Sequence, residues 1–393
     1  MTRLLRVIKR NLVTSLYYIF RVFPINNKKI YVKNFFGKGY GDSPKYIIDY
    51  LIRHYMGYDV VWCVNNDGYT FPQGVRTVNS EGILGMIKNI YEQTTAKIWI
   101  DNSTKYSFER KRKKQYYIQT WHGDIIIKKI KGDKPKENFT DEEAENARTD
   151  AQMTNLHVCG NKWWQKRLPT MFFYDGEVAT CGLPRRDVLY TNNEELLKTI
   201  KEKLVIPAKA RILLFAPTFR DEEIRNHRLG NHITCFDWRL ILGSLEKRFG
   251  GEWYGLMRLH PVVAKYGNSL KLPARVINAT DYPDVNELLC TCDCCISDYS
   301  STLLEFAINK KPGFIFAPDK TDYEGERGYY FSEEEVPFPV SSSVEELNND
   351  ILTFNEEEYL KSHHRFYNEI IQMYPEGHAS EYLAKLIVGV CGN

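Results

Sequence analysis

Two histidines follow apolar runs that read as β-strands, and each sits where a strand end would present a side chain to a ligand. His122 comes after QYYIQTW and before Gly123, a residue that lets a ligand approach the backbone closely. Imidazole titrates near neutral pH, so His122 is a candidate general base for a hydroxyl that attacks phosphorus. His260 closes GLMRLH before Pro261, and Arg258 lies two residues back on the same side of a strand. Those two side chains can face phosphate oxygens together. The competing reading of each histidine is a satisfied structural group at a strand end.

The run CDCCISD reads as a strand ending at Ser297 and Asp298, followed by Tyr299, Ser300, Ser301, Thr302 and a helix through LLEFAINKK. Thr302 and Glu305 have capping-box spacing. Hydroxyls at such a helix start meet free backbone N–H groups and the positive helix end, which suits a phosphate; an ordinary N-cap is the alternative. Arg185, Arg186 and Asp187 follow GLP, and Arg220 and Asp221 follow ARILLFAPT. These arginines either bridge to a diphosphate or fix their turns through carboxylate pairs. The sequence has no P-loop, G-x-G-x-x-G, H-E-x-x-H or G-x-S-x-G, which removes the commonest nucleotide, dinucleotide, zinc-protease and hydrolase readings. Four of nine cysteines crowd into Cys290, Cys292, Cys294 and Cys295. Cys292 and Cys295 lack the second pair a structural zinc needs, so these thiols are expected to act as small hydrophobes in a reducing compartment.

At 393 residues the chain exceeds one ordinary core, which stops growing at roughly 250 to 300 residues. Short β-rich runs alternate with helical stretches: KIYVKNFF, a helix near 44–54, YDVVWCV, a helix near 83–91, AKIWID and QYYIQTW. The theme resumes with NLHVCG and GEVATCG, and again with ARILLFAPT, EWYGLMRLHP, ARVINAT, CDCCISD and PGFIFAP. This predicts two tandem doubly wound α/β domains, with a ligand cleft where the carboxyl ends of the two sheets face each other. The expected divisions are a basic helix over 1–24, an α/β domain over 25–190, a second over 191–375, and a final helix over 376–393 that caps the second unit or crosses back to the first. The last two helices are expected near 356–374 and 381–390.

Residues 1–33 carry Arg3, Arg6, Lys9, Arg10, Arg21, Lys28, Lys29 and Lys33, and the first carboxylate is Asp42. On a helix, Leu5, Ile8, Leu12, Leu16, Ile19 and Phe23 share one face, opposite Arg3, Arg10 and Arg21. The apolar run is too short to cross a bilayer, so the expectation is peripheral attachment to the cytoplasmic face of the membrane through 1–24. A second basic cluster, Lys105 with 110–114 and then Lys128, Lys129 and Lys131, suits anionic lipid or a phosphate-rich acceptor. The alternative is a helix packed on its own protein. Nucleic-acid binding is disfavoured: the net charge is only +3 and no reading motif is present.

Taken together, QTWHG (119–123), GLPRRDVL (182–189), LFAPTFRD (214–221), RLHP (258–261) and SDYSSTLLEFA (297–307) resemble the CDP-glycerol glycerophosphotransferase family of teichoic acid primases and polymerases. The resemblance continues through KPGFIFAPDKTDYEGERGYYF and covers most of the chain from about residue 30. It implies a GT-B fold, CDP-glycerol or CDP-ribitol as donor, and in-line attack by a hydroxyl of a lipid-linked glycan or teichoic acid acceptor, with CMP leaving. It further implies His122 as base, His260 with Ser297, Asp298, Ser300, Ser301 and Thr302 around the donor diphosphate, Pro217 and Thr218 beside the nucleotide, and no required metal. Asp124, Ile125 and Ile126 stand where the family tends to threonine, proline and leucine, and Arg186 where asparagine is usual. Acceptor choice is expected to differ accordingly, and a long amino-terminal extension is missing, so addition of one or few units is favoured over long polymerisation. A GT-B glycosyltransferase using a nucleotide sugar, and a non-catalytic membrane-attached polymer-binding module, are the competing readings.

Overall fold

The computed structural model describes residues 3–191, 193–260, 262–319 and 328–392, with the backbone alone for 3–9, 221, 268 and 269. Pro261 and residues 320–327 of the motifs above lie outside the described residues, as do the side chains of Arg3, Leu5, Arg6, Ile8, Lys9 and Asp221. The chain forms two compact units, one of residues 1–124, 130–187 and 373–393, the other of 125–129 and 188–372.

Unit 1 holds a 7-stranded sheet: β1 (Asn26–Lys33), β2 (Asp59–Val64), β3 (Val75–Asn79), β4 (Ala96–Asp101), β5 (Tyr116–Gln119), β6 (Leu156–Val158) and β7 (Glu177–Ala179), in the order β3-β2-β1-β4-β5-β6-β7. Every pairing is parallel. Central strands of such a sheet are covered on both faces, which is why β2 reads DVVWCV without polar alternation and is buried from Val60 to Val64. Alternate residues go to opposite sides. Ile30, Val32, Val60, Trp62, Ile98 and Ile100 pack with Ile47, Ile48 and Leu51 of helix α2 (Asp42–His54), whereas Tyr31, Val61, Cys63, Trp99 and Tyr117 form the other layer. The first layer also takes Leu383, Ala384 and Ile387 from the last helix, Ala379–Gly392, so the end of the chain completes the first unit's core.

Helix α1 (Arg3–Ile19) belongs to the same unit. Val13 and Tyr17 are buried against Ile90 of α3 (Gly82–Thr95), and the Tyr17 hydroxyl donates to Gln93 Oε1 at 2.6 Å. Leu16, expected on a membrane-facing stripe, packs into this cluster; Leu12 and Ile19 from that stripe stay exposed.

Unit 2 repeats the theme with a 6-stranded sheet ordered β10-β9-β8-β11-β12-β13: β8 (Arg211–Phe215), β9 (Trp253–Met257), β10 (Val276–Asn278), β11 (Cys294–Ser297), β12 (Gly313–Phe316) and β13 (Val340–Ser341), again all parallel. Cys292, Cys294 and Cys295 are buried and burial pushes their thiols far up, which leaves them as small apolar side chains. Edge strands β3 and β13 are not readable from the sequence, being short and half exposed. The single helix expected over 356–374 is instead Glu356–His364 followed by a π-helical turn, Arg365–Ile371, closed by Gln372 in the left-handed region at φ +56°. There the chain passes back into unit 1.

Candidate active site

In each sheet the strand order reverses at one place, between β1 and β4 and between β8 and β11. Loops diverge from such a point, and polar groups at the carboxyl ends of its strands are open to a ligand.

At the first reversal, Asn34 follows β1 and Asn102 follows β4. Asn102 Nδ2 donates to Asn34 Oδ1 at 2.7 Å, and Asn102 Oδ1 accepts the Phe35 N–H at 2.8 Å. The Asn102 carbonyl, left pointing toward the end of β5, lies 2.7 Å from His122 Nδ1. A carbonyl only accepts, so Nδ1 carries the hydrogen and Nε2 keeps its lone pair. The ring lies on Trp121 (centroids 4.1 Å, 28°) and beside Phe35 at 5.0 Å. Loss of hydration lowers the His122 pKa to about 4, and the Arg185 and Lys131 charges push the same way. His122 is therefore neutral at pH 7 with Nε2 as a proton acceptor. Trp121 reaches this place with φ +51°, a left-handed backbone that costs a bulky residue roughly 1 to 3 kcal/mol and persists only where its surroundings hold it.

Arg185 and Arg186 are pairing residues. Arg185 Nη1 donates to Asp42 Oδ2 at 2.5 Å and to the His122 carbonyl at 2.7 Å. Arg186 is fully buried between Asp124, at 2.7 Å, and Glu376. A Cβ on Gly160 would strike both Arg186 and Asp124, so glycine there makes room for the pair. Burial raises Glu376 to about 8 against the pull of Arg186. The phosphate contact expected of Arg185 gives way to a brace under the His122 loop. Lys105, expected among surface cations, is buried with Nζ 2.5 Å from Asp101 and 3.8 Å from Glu109.

At the second reversal Asp298, 1% exposed, accepts from Thr218 N at 2.9 Å and from Thr218 Oγ1 at 2.8 Å, with Arg220 Nη2 at 2.9 Å. Arg220 also gives Nε to Asp319 at 2.6 Å, Nη2 to Asp319 at 3.0 Å, and Nη1 to the Thr218 carbonyl and hydroxyl at 2.9 and 2.6 Å. Four hydrogen bonds and the ion pair with Asp298 thus fix the guanidinium. Arg220, expected as a phosphate contact, is instead the node that neutralises Asp298 and shapes the Thr218 turn. Buried His232 adds Nε2 on the Thr218 carbonyl at 3.0 Å. Pro217 is buried directly before this turn.

Ser297 is buried, its hydroxyl donating to the Ala216 carbonyl at 2.5 Å and so tying β11 to β8. The helix after it, Ser301–Ala307, is capped by Ser300, whose Oγ accepts the Thr302 N–H at 3.2 Å. The capping box expected of Thr302 and Glu305 does not form: Thr302 is inside the first turn and Glu305 is buried near Asn286. Ser301 and Thr302 remain partly exposed. Arg258, expected to face phosphate beside His260, sets Nη1 on the carbonyls of Ala279 (3.1 Å) and Tyr282 (2.7 Å), fastening the loop after β10. His260 is exposed; its Nδ1 accepts the Val262 N–H at 3.3 Å and its ring leans on Phe219 at 4.6 Å. With Nδ1 accepting, the hydrogen of a neutral ring sits on Nε2, which makes that atom a donor.

Sequence reasoning missed Asn34, Asn102, Asp42, His232 and Asp319. The two asparagines had a signal, since each directly follows an apolar strand; Asp42 and Asp319 lie 143 and 99 residues from their arginine partners, and His232 carries no motif that points to Thr218.

Two all-parallel sheets with polar groups gathered at their reversal points define an α/β architecture of the GT-B type. The chain belongs to the CDP-Glycerol:Poly(glycerophosphate) glycerophosphotransferase family, whose sequence model matches residues 15–389. It is 29% identical over 385 residues to the teichoic acid poly(glycerol phosphate) polymerase of Staphylococcus epidermidis, covering 92% of this chain and 51% of that protein. It is 26% identical over 396 residues to the teichoic acid glycerol-phosphate transferase of Staphylococcus aureus, covering 97% and 98%. The solved structure of the wall teichoic acid polymerase TagF superposes with a TM-score of 0.83 at 27% identity, over 99% of this chain and 97% of that one. The chain spans about half the length of the first two curated relatives it matches.

Proposed function

We propose that this chain transfers an alditol phosphate, glycerol phosphate from CDP-glycerol first among them, to a hydroxyl of a lipid-linked cell-wall or capsule glycan precursor, releasing CMP. The observation that carries the reading is the opposite hydrogen placement on the two histidines. His122 Nε2 takes the proton of the acceptor hydroxyl while that oxygen bonds to the glycerol-bearing phosphorus. The bond from this phosphorus to the bridging oxygen breaks, and the oxygen leaves with CMP. His260 Nε2–H, with Ser301, Thr302 and the N–H groups at the start of helix Ser301–Ala307, serves the diphosphate as donors. A base near 4 is weak alone, but the negative charge of a bound diphosphate raises it toward the working range. Glycerol is favoured over ribitol because the glycerol-phosphate relatives match 86–97% of the chain and three of the four ribitol-phosphate relatives only 53–54%.

The test is a donor screen with a crude lipid-linked acceptor extract, comparing CDP-glycerol, CDP-ribitol and sugar nucleotides by nucleotide release. Acceptor-dependent CMP release from a CDP-alditol is expected; release from a sugar nucleotide alone would move the protein to the glycosyltransferase reading.

We also propose that unit 1 rests peripherally on the cytoplasmic face of the membrane through α1 and the segment after it. Leu12, Tyr18, Ile19, Val22 and Phe23 are exposed, and Arg112 Nη1 bonds the Phe23 carbonyl at 2.7 Å, which brings the basic 110–114 loop beside them. No helix among the described residues is long and apolar enough to cross a membrane. Replacing Leu12, Ile19 and Val22 by serine should reduce cosedimentation with anionic vesicles at least several-fold and leave donor turnover on a soluble acceptor intact. Equal sedimentation would reject this contact.

A further inference from the structure

Lys131 lies outside every motif of the family resemblance, yet its side chain meets the ring on which His122 stacks and a residue two positions from the one that binds His122 Nδ1. Its ammonium stands 4.9 Å from the Trp121 ring centroid and 6.0 Å from that of Phe172, and it donates to Thr104 Oγ1. Trp121 is the ring on which His122 stacks. Thr104 is two residues beyond Asn102, whose carbonyl binds His122 Nδ1.

The backbone says the same. Lys131 has φ +51°, a conformation in which glycine is ordinarily cheaper, and so does Trp121. Two strained non-glycine residues in mutual contact are retained where their side chains are used. The backbone of Trp121 is held by Gln119 Oε1 on its N–H at 2.9 Å, with Gln119 Nε2 on the Ser103 carbonyl at 3.1 Å, and by Thr120 Oγ1 on its carbonyl at 3.1 Å, while its ring meets the edge of Phe172 at 4.8 Å. Lys131 joins the indole to the 102–104 segment.

We propose that Lys131 is a positioning residue for the general base: its cation clamps Trp121 to the end of β4, fixing the face on which His122 stacks and the carbonyl that sets its tautomer, and its charge opposes formation of the imidazolium before substrate binds. This rests on the reading of His122 as base. The charged groups around the clamp are few: Arg185 on the His122 carbonyl with Asp42 behind it, and Asp150, Glu143 and Lys134 around Lys131. Loss of hydration lowers Lys131 itself to about 8, so the cation is present at neutral pH and lost in mild alkali.

The experiment is an NMR titration of 15N-imidazole-labelled full-length protein, with the His122 signal identified by its absence in His122→Asn, run beside the pH profile of kcat/KM. Lys131→Met removes the charge and keeps an apolar chain over the indole. It should move the His122 titration and the acid limb of the profile together toward neutral by roughly 0.5 to 1 pH, and lower kcat about tenfold with donor KM within about twofold. Lys131→Arg should return both. If Lys131→Met does not fold, Lys131→Gln reads the same titration. An unmoved His122 titration, or Lys131→Arg behaving like Lys131→Met, overturns the inference. A moved titration beside an unmoved acid limb leaves the clamp standing and overturns instead the assignment of His122 as base.

Discussion

The reversal points of the two sheets are topological twins with opposite chemistry. At β1/β4 the groups that face each other are amides, a carbonyl and an imidazole, Asn34, Asn102 and the ring of His122, with Arg185 set on the His122 carbonyl and on Asp42. At β8/β11 they are ions, with Asp298, Arg220 and Asp319 locked around the Thr218 turn. The first arrangement keeps an imidazole neutral with a free lone pair. The second pairs its charges with one another around the Thr218 turn. One strand order thus carries a neutral polar cluster in one unit and an ion network in the other, because the loops and not the sheet decide what the strand ends carry.

Exchanging or deleting these parts tests the contrast. His122→Ala should lower kcat about 1,000-fold and leave donor affinity within about twofold, whereas His260→Ala should weaken donor binding and turnover together, roughly 10-fold each; rapid-quench kinetics with CDP-glycerol separates the two, and a fully active His122→Ala protein sinks the base assignment. Asp298→Asn should cost about 3 kcal/mol in urea unfolding, since it leaves Arg220 buried beside Asp319 alone, while the corresponding amide change at the first reversal, Asn102→Ala, should cost about 1 kcal/mol. An effect of comparable size concerns pH. His122 and His157 both fall to about 4 in the folded protein from 6.5, so the unfolded chain takes up protons first on acidification. Stability is then lost as pH falls from about 6.5 to about 4, by at most about 1.4 kcal/mol per pH for each ring, and levels off below. A urea midpoint that does not move between pH 7 and 5 would contradict both rings being neutral.

Sequence patterning made the sheets legible where burial on both faces writes an unbroken apolar run, as in DVVWCV and CDCCIS, and made His122 legible because a strand end is followed by glycine. Its partners were not, because the adjacency of β1, β4 and β5 is a property of strand order that no local spacing encodes. Arg220 and Asp319 lie 99 residues apart, so the same arginine reads equally well as a phosphate ligand until its two carboxylate partners are placed. The cap was ambiguous for a simpler reason. Ser300, Ser301 and Thr302 are all competent, and only the burial of Glu305 selects Ser300.

The last helix, Ala379–Gly392, lies in the core of unit 1, and Asp187 accepts the Ala379 and Ser380 N–H groups at 3.1 and 2.7 Å. A ribosome makes that helix after all of unit 2. The unit that emerges first therefore waits, part of one face of its sheet uncovered, until translation has passed the whole of the other. Unit 2 has its residues in hand by Gln372, so the order of synthesis and the order of completion run in opposite directions for this chain.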